Sequence, residues 1–429
     1  MQNIDLNRVA RIALLALLIL LPLHAPITTL LISSGFPEEL TEVWKELLLV
    51  VISLVAIFVM RDQLLDVHRR LFKKKAIVLT ALFALVWWAA SFVLSPVDVT
   101  PRLVSAVIYA RIGLAIFVGW AASRLKLVSG TELKWLLIWA AGVVGIFGVL
   151  QATILPDDIL SSIGYQEGII EPYQLVDEDP DRVRIISTLR GPNPLGWFAG
   201  FILPVLAGFT LRAKSRKQKI GLGLIAAALL TALIASYSRS GLLVLAVATT
   251  LFAATTISRQ HLPKLLAVAA LLVIGLSSVF LTNSELRNEV LFHDSASVSN
   301  ETADSQRFGS IANNFTKSHT EPFGHGLGTA GPAAFFDDSG QAIVTESFFN
   351  QISYEIGLIW SIAGYALLGF MAFGLLRTKE LASKAVGAGL AGLAVVSLIA
   401  PVFTDSIVTI IAFMLAGFYL TKLKRQAAD

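Results

Sequence analysis

The chain contains no cysteine among its 429 residues. That absence excludes disulfide frameworks, thiolate metal centres and thiol nucleophiles together. Charge is scarce as well. Only 15% of residues are Asp, Glu, Lys or Arg, whereas a soluble domain carries roughly 25%. Histidine is rare, with 6 residues that form no cluster in the sequence, and no metal site is expected. Apolar side chains fill the gap, at 55% of the chain and a mean hydropathy of +0.72. Lipid, not water, is the solvent this balance calls for. The net charge of +4 is small, and no nucleic-acid partner is expected.

Apolar runs long enough to cross about 30 Å of hydrocarbon recur along the sequence. They fall at 9–32, 43–60, 76–94, 101–122, 133–155, 192–211, 219–236, 241–257, 264–282, 347–376, 383–400 and 402–421. The fold class read from them is an all-α polytopic membrane protein of about twelve transmembrane helices. The first run lacks the small-residue cleavage site of a signal peptide, and further spans follow, so it reads as helix one.

Basic residues test this arrangement independently. With a cytoplasmic N-terminus, most of the 34 Lys and Arg fall on the cytoplasmic side, in the loops 61–75, 124–134, 212–219 and 377–384 and in the C-terminal tail. Most acidic residues fall on the other side. The excess of Lys and Arg inside is the pattern membrane insertion imposes. The expectation is a multi-pass protein of a cytoplasmic (inner) membrane with both termini in the cytoplasm.

Five segments follow: helices one to five over 1–155, an acidic outer loop at 156–191, helices six to nine over 192–282, a large and partly helical outer loop at 283–346, and the last helices with the tail over 347–429. Loops of this length usually carry function. The acidic run 171–181 reads as solvated.

The cations left on the outer side are mostly arginine: Arg102, Arg111, Arg182, Arg184, Arg190, Arg239, Arg287 and Arg307, with Lys45 and Lys317. Arginine's planar fork suits phosphate, because it donates two parallel charge-assisted hydrogen bonds. Arg239 lies in SYSRSGLLVL, a short turn between two apolar spans, with Ser236, Ser238 and Ser240 around it. An arginine at hydrocarbon depth costs at least about 2.5–3.5 kcal/mol, so such residues face a cavity or a partner. The competing role is a snorkelling anchor for the helix end. Arg111 lies inside its own span, where Asp98 or Asp405 would serve as partner as well as a ligand would.

Four segments resemble the O-antigen ligase and polymerase family. RIISTLRGPNPLGWF (184–198) resembles the stretch that opens its sixth helix. SYSRSGLLVL resembles its Ser-Arg-Ser/Gly turn, including a leucine at position 243. SQRFGSIANNF and EPFGHGLGTAG resemble its Arg-containing outer helix and the Gly-x-Gly loop after it, and TESFFNQISYEIGLIW (345–360) resembles the lead into the next helix.

The resemblance implies a GT-C-like helical bundle and an inverting glycosyltransferase of polysaccharide and cell-envelope biosynthesis. Its donor would be a glycan on undecaprenyl diphosphate, its acceptor a glycan or lipid-linked hydroxyl, its surroundings membrane lipids, and its active site extracytoplasmic. No cofactor is implied. Carried over by motif, Arg239 and Arg307 would hold the donor diphosphate, with Arg190, Arg111, Ser238 and Ser240 around it. Asn193, His325 and Asp405 are further candidates for substrate contact. The ligases place a His where this chain has Glu346, and a small residue where it has Trp360. That departure favours a polymerase over a ligase acting on a lipid or protein acceptor.

The chemistry agrees. Breaking a sugar–diphosphate bond leaves negative charge that fixed guanidinium groups stabilise in a dry site. The attacking hydroxyl needs a proton acceptor, and Glu346 is a carboxylate in the right segment. With two arginines carrying the charge, no metal is required. Each assignment has a structural alternative. Glu346 would cap the helix beginning there, Arg307 would pair with Asp304, and Pro192, Asn193 and Pro194 would set a helix start. Gly324, Gly326 and Gly328 would make a tight turn, and His325 would be an alternative acid or base. A secondary transporter or lipid-linked-glycan flippase is the rival of another class, and a non-catalytic scaffold a third.

Overall fold

The computed structural model describes residues 5–65, 75–176, 179–257 and 323–426, with isolated positions 309, 313 and 316. The expected span 264–282, most of the large loop, and Arg307 with Asp304 lie outside the described residues.

The protein is predominantly helical. Helix α1 (Leu6–Leu20) is capped by Asp5, whose carboxylate accepts from the Asn7 and Arg8 amides. A single 3₁₀ turn at Leu21–Leu23, carrying Pro22, joins it to α2 (His24–Ser33). Next come α3 (Glu38–Val59), α4 (Lys75–Val93), α5 (Val99–Arg124) and α6 (Gly130–Thr153). Helix α6 starts from a reciprocal capping box between Ser129 and Glu132. After the acidic segment follow α7 (Pro192–Arg212), α8 (Arg216–Ala235) and α9 (Arg239–Thr256). The C-terminal part holds α10 (Phe348–Ile356), α11 (Leu358–Leu376), α12 (Leu381–Val396) and α13 (Ser406–Gln426).

Among the described residues, seven helices are long and apolar enough to cross a membrane, the first of them α1 and α2 taken together. The protein is thus a helical membrane protein. The run 347–376, expected as one span, is two elements. Gly357 breaks it with φ +99°, ψ 154°, so only α11 has spanning length, and α10 is a short helix buried against the bundle. Within the 156–191 segment the described side chains of the run 171–181 are exposed or half-buried except Val176, while its flanks are packed. Strands β1 (Gln174–Val176) and β2 (Asp179–Arg184) form an antiparallel hairpin, and Leu160, Tyr165, Ile170 and Ile186 bury together over Ala25.

Between helices in lipid the driving force is close packing, which small residues allow. A Cβ at Gly119 on α5 would stand 1.9 Å from the Met414 carbonyl oxygen, and one at Gly417 on α13 would stand 2.1 Å from that of Ile116. These two helices therefore touch backbone to backbone. The same device joins α7 and α9, where a Cβ at Gly241 would meet the Gly196 Cα at 2.4 Å. It also seats α12 on both: a Cβ at Gly392 would lie 2.8 Å from the Val244 carbonyl oxygen, and one at Gly389 would lie 2.6 Å from the Phe201 ring.

Candidate functional site

Those glycine contacts fix a register. Gly196 faces Gly241 and Gly200 faces Val244, so α7 and α9 run in the same direction and begin at the same end. Phe201 faces Gly389 while Gly208 faces Leu381, so α12 runs the opposite way and finishes where the other two begin. Arg239 precedes Val244 by as many residues as Ser397 follows Gly392. At 1.5 Å per residue the two stand at about the same depth. Ser397 in turn receives α10: its carbonyl accepts from the Phe348 amide at 3.1 Å, and Ser347 donates to the same oxygen at 3.4 Å. Asn193, Arg239 and the turn carrying Glu346 are thereby brought to one end of the three-helix set.

The turn before α9 is tightly organised. Tyr237 adopts φ +50°, a conformation that costs a residue with a Cβ. Ser238 caps α9, its hydroxyl accepting from the Gly241 amide at 3.1 Å and donating to Asn193 Oδ1 at 3.2 Å. Arg184 donates to the same Asn193 oxygen at 3.1 Å and to the Ser236 carbonyl at 3.1 Å. Trp197 donates to Ser240 Oγ at 2.8 Å. Asn193, Ser238 and Ser240, expected as ligand contacts, are thus members of the network that holds the turn. Arg239 is half-buried in the first turn of α9, at the positive end of the helix dipole. A cation there opposes the dipole, while an anion would be attracted by both.

Arg190 and Arg111 belong to a second cluster. Arg190 pairs with Glu42 at 2.7 Å, and its side chain remains 35% exposed. Arg111 is buried and pairs with Glu46 at 2.8 Å while donating to the Thr404 carbonyl at 3.1 Å. Its carboxylate partner is therefore neither Asp98 nor Asp405, because the α3–α5 packing places Glu46 on its level. Lys45, buried as well, stands 3.3 Å from the other Glu46 oxygen. Asp405 accepts from the Val408 amide at 2.8 Å and so caps α13. Sequence reading passed over Lys45 and Glu46 as a pair, although two charges inside an apolar run are themselves a signal.

The third element is the strap 324–347, which leads from the large loop into α10. Gly324, Gly326 and Gly328 all have positive φ, and they form the tight turn expected of them. Each lies against backbone; a Cβ at Gly328 would be 2.6 Å from the Arg102 amide nitrogen. His325 stacks on Tyr354 with ring centroids 3.9 Å apart. Farther along, the Ser339 hydroxyl and the amides of Ala342, Ser339 and Gln341 hydrogen-bond to Asp337 and hold its carboxyl below the ordinary carboxylate value. Glu346 is half-buried, and it is not the cap of α10. Ser347 is, accepting from the Asn350 amide at 3.2 Å. Below Phe348 opens an apolar cavity of about 160 Å³ between α5, α10, α11 and α13, lined by Ile112, Ile352, Tyr365, Leu368, Met371 and Phe413.

No family model and no curated protein matches the sequence.

Proposed function

We propose that the protein is a membrane glycosyltransferase of the O-antigen ligase and polymerase type, elongating a polysaccharide from an undecaprenyl-diphosphate-linked donor on the outer face of a cytoplasmic membrane. The observation that carries this reading is the shared end of α7, α9 and α12. It gathers three of the four resembling segments.

In this reading, an acceptor hydroxyl gives its proton to Glu346 as its oxygen attacks the anomeric carbon. The bond from that carbon to the diphosphate oxygen breaks, with inversion. The charge on the departing diphosphate is met by Arg239 and the first amides of α9, and by Arg307 from the large loop. Fixed donors aimed at developing charge are worth about 100- to 1,000-fold each. The cavity below Phe348 offers a hydrocarbon-lined path for the donor's lipid chain, ending near the Glu346 turn.

The test is reconstitution of the full chain in liposomes with a lipid-diphosphate glycan. Arg239→Ala is expected to lower turnover at least about 100-fold, and Glu346→Gln about 100-fold or more. Full turnover by Arg239→Ala overturns the assignment. Movement of the donor across the bilayer without product marks a flippase instead.

A further inference from the structure

We propose that Glu355 is a positioning residue that sets where Glu346 stands, an inference that rests on Glu346 acting as the base. Glu355 lies near the C-terminal end of α10 and is fully buried, with 0% exposure. Four donors converge on its carboxylate. Ser105 reaches Oε1 at 2.6 Å, Tyr109 reaches Oε2, and the backbone amides of Gly328 and Ala330 reach Oε1 at 2.9 and 3.3 Å. Among the described residues no cation pairs with it. A carboxylate in such a place is retained for the geometry it imposes, because an apolar residue would not incur the cost of burying it.

That geometry runs to Glu346 in two steps. The carboxylate grips the strap at Gly328 and Ala330. The strap at the same point bridges to residue 343: the Gly331 amide donates to the Ile343 carbonyl at 2.9 Å, and the Ile343 amide donates to the Thr329 carbonyl at 2.9 Å. Ile343 precedes Glu346 by less than one turn of chain. The strap is itself nailed to α4 and the linker that follows it, since Ser95 donates to the Leu327 carbonyl at 2.7 Å and the Leu327 amide donates to the Ser91 carbonyl at 2.8 Å. Positive φ at Gly326 and Gly328 permits that approach. Glu355 thus ties α5, the strap and α10 into one unit, and the segment bearing Glu346 is a fixed extension of it. Three of the four donors share Oε1, so a glutamine would still hold the strap through its one oxygen and lose only the acceptor that Tyr109 reaches, whereas a leucine removes every acceptor.

The experiment is a double-mutant cycle on the reconstituted full chain, read together with amide hydrogen exchange. Glu355→Leu, which removes both oxygens, is expected to lower kcat about 100-fold, the cost of a misplaced catalytic group, with the KM for the donor unchanged. In the Glu346→Gln background it should cost nothing further, because both act through one carboxylate. Amide exchange at 343–347 should quicken while α11 stays protected. Tyr109→Phe, which removes one donor and leaves the acid, gives a smaller fall of the same kind and serves where Glu355→Leu does not fold. Unchanged kcat, a loss that adds to that of Glu346→Gln, or unaltered exchange at Ile343 each overturns the proposal. Should Glu346→Gln retain wild-type turnover, the base assignment fails, and the clamp is then judged on exchange at Ile343 alone.

Discussion

Residue by residue, burial decides which charges can be removed. Glu46 stands between two cations that are themselves buried, Arg111 at 2.8 Å and Lys45 at 3.3 Å. Replacing it with glutamine leaves both positive charges desolvated beside each other, and breaking a buried pair costs about 3–5 kcal/mol. Glu46→Gln should therefore lower the thermal midpoint of the detergent-solubilised protein sharply. Asp62→Asn is the control, since its pair with Arg61 is 3.6 Å long and mostly exposed, where such pairs contribute about 0–1 kcal/mol. Equal midpoints for the two variants would show that the cluster is not stabilising. The sequence made Arg111 conspicuous but not its partner. An arginine in an apolar run announces that it needs an anion, whereas which anion depends on how α3 slides along α5. Glu355 was harder still. It reads as one more polar residue after Asn350, Gln351 and Ser353, and its four donors come from segments some 250 residues away in α5 and from a strap whose turns only backbone geometry reveals.

At the level of elements, hydropathy located most helices because their length is set by the bilayer, yet it merged α10 with α11. Composition does distinguish them, since α10 carries Asn350, Gln351, Ser353 and Glu355 while α11 is almost wholly apolar, but the break itself is a backbone event at Gly357. Glycine also sets helix contact, and here the consequences can be ranked. A Cβ at Gly241 would meet backbone of Gly196 from 2.4 Å, an obstacle that no side-chain movement relieves. Gly241→Ala should therefore force α7 and α9 apart, at about 1–3 kcal/mol. It would also displace the Ser238–Arg239 turn, so activity falls along with stability. Gly223→Ala on α8 meets nothing within 4 Å. It should be neutral or stabilise by about 0.5–1 kcal/mol through helix propensity alone. Thermal midpoints and turnover of the two variants, measured side by side, check the ranking. Equal behaviour would mean that the α7–α9 contact is looser than the register described above.

For the whole molecule, the decisive quantity is which end of the bundle faces outward. The register places Arg239, Asn193 and the Glu346 turn at one end, and only the distribution of Lys and Arg says which side of the membrane that end occupies. The loops at the opposite end are rich in both, as in Lys214, Arg216, Lys217 and Lys219, and because such loops tend to stay in the cytoplasm, the expectation to be tested is that the arginine end faces outward. A chain with no cysteine makes the check direct, because every introduced thiol is the sole thiol. Glu167→Cys and Asp338→Cys occupy exposed positions of the acidic segment and the strap, and Lys214→Cys and Lys379→Cys occupy exposed turns at the other end. A membrane-impermeant maleimide applied to intact cells should label the first two and reach the second two only after permeabilisation. The reverse pattern would put the Arg239 turn in the cytoplasm, where a lipid-linked glycan on the outer leaflet could not reach it, and the transferase reading would fall with the topology. Labelling of one position from both sides in turn would instead fit a carrier, whose site alternates between faces while the bundle stays in the membrane.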